Sequence, residues 1–435
     1  MIRISFRHFL QGWTALFCAH ASAMTLEEAY DRALATDQSV RIAFLEVQKA
    51  NLLPWSALTR LGTQVIGSAR YQRQEHSLTT PAFNSAARSR TGTGDASLTV
   101  EQPLIDLTVF PAYRLGRISA TAARLAHQFT VRETLFGVAT AYYEVLKQQR
   151  LVDVNREALR LAGQQLDISQ KRADVGEVKR SDVLRAQVTV ETARRTLVES
   201  ENLLEFDRNT LGNILNFEPN ARFTVVEPPD FPSALPPFDS VLQRAYAHRE
   251  DFRVKELAVD QDIERRNEIA GQYGPRVVAQ WDGALAHTSG SSTSNTRDWQ
   301  AAVAVQLPIF TGGQREIDLR TSAVQIRQTR LDVERTAKTI ESDVKQAWLT
   351  VRSLKQTLKA LHTQVVAAEQ GYHDLEIQYS AGTATSVDVL TALNDLNSAR
   401  KDLAVQTYDY QVALRSLEQV SGVFQEARVQ RSKVR

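Results

Sequence analysis

The amino-acid sequence predicts a mainly α-helical fold with a smaller β component, built from two tandem copies of one unit. Three observations support this prediction. Similar segments recur at a near-constant separation, two long proline-free stretches have helical periodicity, and four short segments alternate as strands do. Because these patterns follow the same order in both halves, each copy is expected to set a β-hairpin among very long helices.

The N-terminus has the order of a secretory signal peptide, which we assign to residues 1–23. Arg3 and Arg7 make a basic start, Phe9–Ala19 is moderately apolar, and small residues lead up to a cleavage site after Ala23. The alternative is a short amphipathic start that stays attached. The single cysteine, Cys18, would leave with the peptide. The remaining chain would then need no disulfide framework.

The clearest internal repeat is a glycine-led segment. GEVKRSDVLRA, Gly176–Ala186, matches GTATSVDVLTA, Gly382–Ala392, and other matches keep a separation of about 206 to 212 residues. We therefore assign the first repeat to residues 24–216 and the second to 238–422. Residues 217–237 form a proline-rich connector, and 423–435 a polar C-terminal tail.

Each copy is predicted to end in a long helical hairpin. From Val344 to Tyr379 the apolar residues follow an unbroken 3-4 spacing, which indicates a coiled-coil seam. A helix over about Gln314–Ser380 would span about 100 Å at 1.5 Å per residue. Gly176 and Gly382 mark the two hairpin tips, because glycine commonly ends helices.

Four segments alternate between apolar and polar residues, at about 62–73, 95–104, 276–287 and 299–309. Polar loops join each pair, the first near Gln74–Gly94, and Pro103 and Pro308 fall where strand should pass to helix. Strands of this length and pattern fit a transmembrane barrel with a wet interior. The alternative is a half-buried hairpin in a soluble domain.

One chain supplies too few strands to close a barrel in lipid. The smallest single-chain membrane barrels use about eight strands, and an open edge would leave backbone groups without partners. Several chains must then share one barrel. Three chains would give twelve strands, and the same symmetry would gather their long helices into a tube.

The chain resembles the TolC family of outer-membrane efflux and secretion channels, the outer membrane factors. The resemblance rests on MTLEEAYDRAL near the start, on the duplicated order of elements, and on YSAGTATSVDVLTA, Tyr379–Ala392. It implies a homotrimer in the outer membrane of a Gram-negative bacterium, with a 12-stranded barrel in outer-membrane lipid and a helical tunnel across the periplasm. It further implies a passive exit duct of a tripartite efflux pump or type I secretion system. The expected partners are a periplasmic membrane fusion (adaptor) protein and an inner-membrane transporter.

The resemblance also implies roles for particular residues. Asp388 corresponds to an aspartate that rings the periplasmic pore entrance, and Tyr379 to a tyrosine of the closed gate. Thr391 stands where the family has a second aspartate, and Ala384 where it has a gate arginine. The closed-gate network is thus incomplete, so either other contacts replace it or the gate is looser. The plainer interpretation of Asp388, and of Asp182 in the first copy, is an acid that stabilises a helix start.

By position, the hairpin tips are the segments that family adaptors contact. The residues in question are Gly176, Lys179, Arg180, Gly382 and Thr383. The glycines are expected to serve turn geometry first.

Several function classes have no support in the sequence. The 52 basic and 50 acidic residues nearly balance, so no nucleic-acid partner is expected. Phosphate loops, zinc-spaced Cys/His sets and nucleophile elbows are missing, so we expect no enzyme, metal or cofactor. The alternative function is a periplasmic coiled-coil structural or adaptor protein with a soluble β-domain. Membrane fractionation would distinguish it from a duct.

Overall fold

A computed structural model describes residues 23–80, 85–218, 223–228, 235–290, 293–425 and 428–429, without the side chains of 76–80 and 85–88. The predicted signal peptide lies outside this part of the chain except for Ala23, as do parts of the connector and tail. In chain order, the described residues first form β1 Ala23–Met24, α1 Leu26–Thr36, α2 Gln38–Asn51, α3 Leu53–Leu58, β2 Gln64–Thr80, β3 Ser85–Ile105, α4 Val109–Asp174 and α5 Arg180–Ile214. These are followed by β4 Thr224–Val225, α6 Phe238–His248, α7 Glu250–Gly271, β5 Arg276–Ser289, β6 Ser294–Gln306, α8 Gln314–Ser380 and α9 Ser386–Val420.

The chain divides into two compact units. Unit 1 contains the chain up to Asp37, Thr134–Leu235 and Leu349–Ser416. Unit 2 contains Gln38–Glu133, Pro236–Trp348 and the chain from Leu417 onward. The hairpin tips belong to unit 1 and the four-stranded sheet to unit 2.

The predicted long helices are confirmed. α4 has 66 residues and α8 has 67, and α8 has the predicted bounds, Gln314–Ser380. Within unit 1 the seam residues of α8, from Val351 to Tyr379, are all buried or half-buried, whereas most residues between them are exposed. The seam therefore selects the packed face of the helix. Across the described residues, no helix has the length and apolar character that crossing a bilayer requires.

Unit 1 holds the described N-terminal strand through Tyr142, which is fully buried. β1 pairs in parallel with β4. The Tyr142 hydroxyl lies 2.9 Å from the carbonyl oxygen of Met24 and 2.6 Å from that of Val226, and accepts the Val226 N–H at 3.0 Å. Burial raises the pKa of Tyr142 to about 12, so the hydroxyl keeps the proton it donates.

Unit 2 contains one antiparallel sheet in the order β2-β3-β5-β6. The register places Val65 opposite Val100, Val100 opposite Trp281, and Trp281 opposite Ala301. Because side chains alternate across a strand, most of the large apolar residues of the four strands share one side, which we call the apolar face; Ile66 and Val278 are exceptions on the other side. The other side, the polar face, carries cross-strand hydrogen bonds such as Ser68 to Ser97 at 2.8 Å.

The predicted loop near Gln74–Gly94 is wrong over most of its length. β2 continues to Thr80 and β3 begins at Ser85, so the first hairpin is longer than its predicted strands at 62–73 and 95–104. Strand pairing depends on backbone hydrogen bonds, which polar side chains do not prevent. In the second hairpin, β5 runs two residues beyond the prediction, and β6 spans 294–306 rather than 299–309.

The two strand-to-helix transitions differ. Pro103 lies inside β3, at a register irregularity before its end, whereas Pro308 follows β6. At the second transition Arg315 is buried; it donates to the carbonyl oxygens of Pro308 at 2.6 Å and Gln272 at 3.0 Å. Its guanidinium also stacks 4.4 Å from the ring centroid of Tyr273. One arginine therefore fixes the second corner.

Candidate functional site

The two hairpin tips have the same backbone geometry. Gly176 and Gly382 both have φ of +80°, a conformation that residues with a Cβ rarely adopt. The Gly176 N–H donates to the Ala173 carbonyl oxygen and the Gly382 N–H to that of Tyr379, both at 3.0 Å. Repeated glycines in the sequence thus predict two equivalent turns. Both glycines are exposed.

Asp388 closes a capping box at the start of α9. One of its carboxylate oxygens accepts the Thr385 N–H at 2.9 Å and the Thr385 hydroxyl at 2.7 Å, while the Asp388 N–H donates to that hydroxyl at 3.3 Å. The hydrogen bonds from Thr385 lower the pKa of Asp388. The carboxylate is exposed, so an ionised acid sits at the tip of the second hairpin.

Asp182 occupies the matching place at the start of α5 with different contacts. Its N–H donates to the Lys179 carbonyl oxygen at 2.9 Å, and its carboxylate lies 3.7 Å from Arg185. Lys179 is the N-cap residue and has no side-chain capping bond. With Arg180 also exposed in this turn, the first tip is the more basic of the two.

The second tip is packed against the first hairpin through Tyr379 and Arg172. Tyr379 is only 3% exposed, and the Arg172 guanidinium carbon lies 4.6 Å from its ring centroid. Arg172 also donates from Nη1 to the Tyr379 carbonyl oxygen and from Nε to Glu177 at 2.9 Å. Sequence reasoning missed Arg172, because its partner lies 207 residues away and no local motif connects them.

An apolar cluster in unit 1 holds the two hairpins together behind the tips. Tyr379, Val389 and Leu393 of the second hairpin are buried against residues of the first, including Leu161 and Val190. Ala384 is partly buried and packs at the edge of the same cluster.

The remaining predicted residues make local contacts. The Thr391 hydroxyl donates to the Val387 carbonyl oxygen at 2.8 Å within α9, and the Thr383 hydroxyl donates to that of Gln378 at 3.0 Å. Both side chains are exposed. Among the residues with described positions, no group of three His, Cys, Asp or Glu side chains is placed to hold a metal ion.

Comparison with known proteins gives relatives over most of the chain. TolC of Vibrio cholerae, an outer membrane protein, is 24% identical over 338 residues, covering 76% of this chain and 77% of that protein. The alkaline protease secretion protein AprF of Pseudomonas aeruginosa is 23% identical, covering 76% of this chain and 70% of that protein.

A solved structure shares the fold. The CmeC outer membrane channel of Campylobacter jejuni superposes with a TM-score of 0.76 at 16% identity, covering 94% of this chain and 89% of that one. The predicted TolC-like fold of long hairpins and a β-sheet is confirmed by this likeness. The outer membrane efflux protein family matches two segments of the chain, residues 29–216 and 241–423. The chain therefore belongs to the outer membrane efflux protein family.

Proposed function

We propose that three copies of the chain form an outer-membrane exit duct for an efflux pump or a type I secretion system. The duct conducts substrate passively, and an inner-membrane transporter supplies the energy through a periplasmic adaptor. The matched family is one of outer-membrane efflux proteins, and AprF is named for the secretion of a protease. Both observations support an export role in the outer membrane rather than a catalytic one.

The observation that carries the proposal is the open, one-sided sheet of unit 2. Its edges, β2 and β6, have no further strand partner among the described residues. On its apolar face Trp299 is 73% exposed, and Val303 and Val305 are each 67% exposed. Contact of that face with lipid is energetically favourable. The two edge strands are unfavourable in lipid, because their backbone N–H and C=O groups lack hydrogen-bond partners. Joining β6 of one chain to β2 of the next removes every edge, and three chains give twelve strands.

The hairpin tips are the proposed inner end of the duct. Asp388 would contribute three carboxylates around the axis, which favour cations and repel anions, and Thr391 and Asp182 would line the same region. Arg172 over Tyr379 takes the place of the missing arginine contact as the link that holds the second tip inward. The exposed residues Gly176, Lys179, Arg180, Gly382 and Thr383 are the proposed adaptor contacts.

Membrane fractionation and electrophoresis test the proposal. The processed chain should be recovered with the outer membrane, with residues 1–23 removed, and should run as a heat-labile trimer on a mild detergent gel. Recovery in the soluble fraction alone would overturn the duct and favour a periplasmic coiled-coil protein. A membrane-bound monomer would overturn the shared barrel.

A further inference from the structure

The apolar face of the sheet ends in cationic residues toward the hairpin turns. Along β2 toward the turn, the first charged residue on this face is Arg73, two residues after Tyr71. In β6 it is Arg297, directly beyond Trp299, and in β3 it is Arg90. We call Arg73, Arg90 and Arg297 the arginine band. In β5 the corresponding place is taken by His287, whose Nδ1 lies 2.6 Å from Asn295 Oδ1.

Acidic residues are distributed in the opposite way. Among the strand residues with described side chains, four acids lie on the polar face: Asp95, Glu101, Asp282 and Asp298. The apolar face carries one acid, Glu75, at 3.5 Å from Arg90. Both of these side chains are about half exposed or more, so the pair is weak and screened by salt. The described residues give Arg73 and Arg297 no ion pair.

This one-sided distribution identifies the ligand chemistry. If the apolar face meets lipid, as the proposed duct requires, side chains just beyond the aromatic residues lie at headgroup level. Arginine presents a planar fork of donors that matches phosphate oxygens, and basic residues near a membrane surface favour anionic lipids. Closure of the barrel would also put Arg297 of one chain and Arg73 of the next on adjacent strands. We propose that the arginine band binds the phosphate groups of anionic lipid headgroups in the outer leaflet.

A lipid titration of the purified full-chain trimer tests this. The probes are lipid A carrying two phosphates, its dephosphorylated form, and inorganic phosphate, each added to trimer in a neutral detergent. We expect the phosphorylated lipid to bind more tightly than the dephosphorylated one, with a difference that shrinks as salt is raised. Inorganic phosphate should bind far more weakly, since it lacks the acyl chains that hold a headgroup at the band.

The decisive variant is Arg73→Gln with Arg297→Gln. A loss of roughly fivefold in affinity is expected for each arginine near the surface, or about 25-fold for the pair. The matched control is Arg70→Gln, which removes the same charge from β2 on the polar face and should leave affinity unchanged. The lipid site would be overturned if Arg70→Gln lowered the affinity for the phosphorylated lipid as much as the double variant does. It would also be overturned if the double variant left that affinity unchanged.

The two proposals fail in different ways. If the wild-type chain forms no membrane trimer, the duct proposal fails. If it forms a trimer that does not distinguish the two lipids, the arginine band alone is wrong. If inorganic phosphate at equal concentration displaces the phosphorylated lipid, the site binds free anions. The assignment to a lipid headgroup is then overturned.

Discussion

At Asp388 the negative charge and the helix cap can be separated by substitution. Asp388→Asn keeps a side-chain oxygen that accepts from Thr385 but removes the charge, so we expect reduced cation preference of the reconstituted pore with little change in folding. Thr385→Ala keeps the charge and removes the cap, at a cost of about 1 kcal/mol in helix stability. Reversal potentials in a salt gradient provide the measurement. Unchanged selectivity in Asp388→Asn would remove this residue from the entrance.

The pH dependence of that selectivity follows from the same contacts. Hydrogen bonds from Thr385 lower the pKa of Asp388 below the usual value for aspartate. The stability contributed by this group is therefore present above the unfolded pKa and is lost as pH falls through the lower folded pKa. Cation preference should likewise decline at a lower pH than it would for an ordinary aspartate, whose pKa is about 3.9.

Arg172 offers a test of the proposed link between the tips. Arg172→Gln removes the guanidinium over the Tyr379 ring and should loosen the second turn, so we expect a several-fold rise in the conductance of the resting pore. The control is Lys171→Gln, because Lys171 is its neighbour in α4 and forms an exposed i,i+4 ion pair with Asp167. Planar-bilayer recordings compare the two. Equal conductance in both variants would argue against the link.

Residue-scale prediction from the sequence succeeds where the interaction is local. An acid at the start of α9 and glycines at the tips both follow from helix-end chemistry, although the Thr385 partner of Asp388 was not predicted. Arg172 could not be identified because its contact joins the two copies of the repeat. Only the fold brings those copies together.

At the scale of elements, Arg315 is the clearest determinant of the second strand-to-helix corner. Arg315→Lys keeps the charge but loses the fork that reaches the carbonyl oxygens of Pro308 and Gln272. Hydrogen bonds made by a charged group each contribute about 1.5–3 kcal/mol. We expect the heat-labile trimer to dissociate at a lower temperature. Arg320→Lys, an exposed position one turn and a half further along α8, should behave as wild type. An unchanged dissociation temperature in Arg315→Lys would show that Pro308 and the backbone suffice to hold the corner.

Elements differ in how far their bounds could be predicted. The C-terminal bound of α8 follows from the unbroken heptad seam, which runs to Tyr379, and from Gly382 just beyond it. The predicted strands of the first hairpin are shorter than the observed ones, because its outer half is mostly polar and its few apolar residues, such as Leu78, do not give a clear alternation. The pairing of β3 with β5, which joins the two repeats into one sheet, has no sequence signature at all.

For the whole molecule, the proposed duct requires that the apolar face of the sheet meets lipid. Val303→Arg places a charge on the apolar face of β6, and a cost of about 2–4 kcal/mol per chain is expected at mid-membrane depth. Ala302→Arg makes the same change one residue away on the polar face and should be tolerated. The yield of outer-membrane trimer distinguishes them. Equal yields would mean that the apolar face does not contact lipid while the polar face contacts water.

The two hairpins of the sheet are unequal, with strands of 17 and 21 residues in the first and 14 and 13 in the second. In a threefold barrel, the longer and shorter hairpins would alternate around the outer opening. Whatever approaches the cell from outside, whether antibody, phage or toxin, would then meet the first hairpin before any other part of the duct. A peptide tag inserted between β2 and β3 should bind an antibody on intact cells. The same tag between β5 and β6 should bind less antibody, because the longer hairpins on either side restrict access.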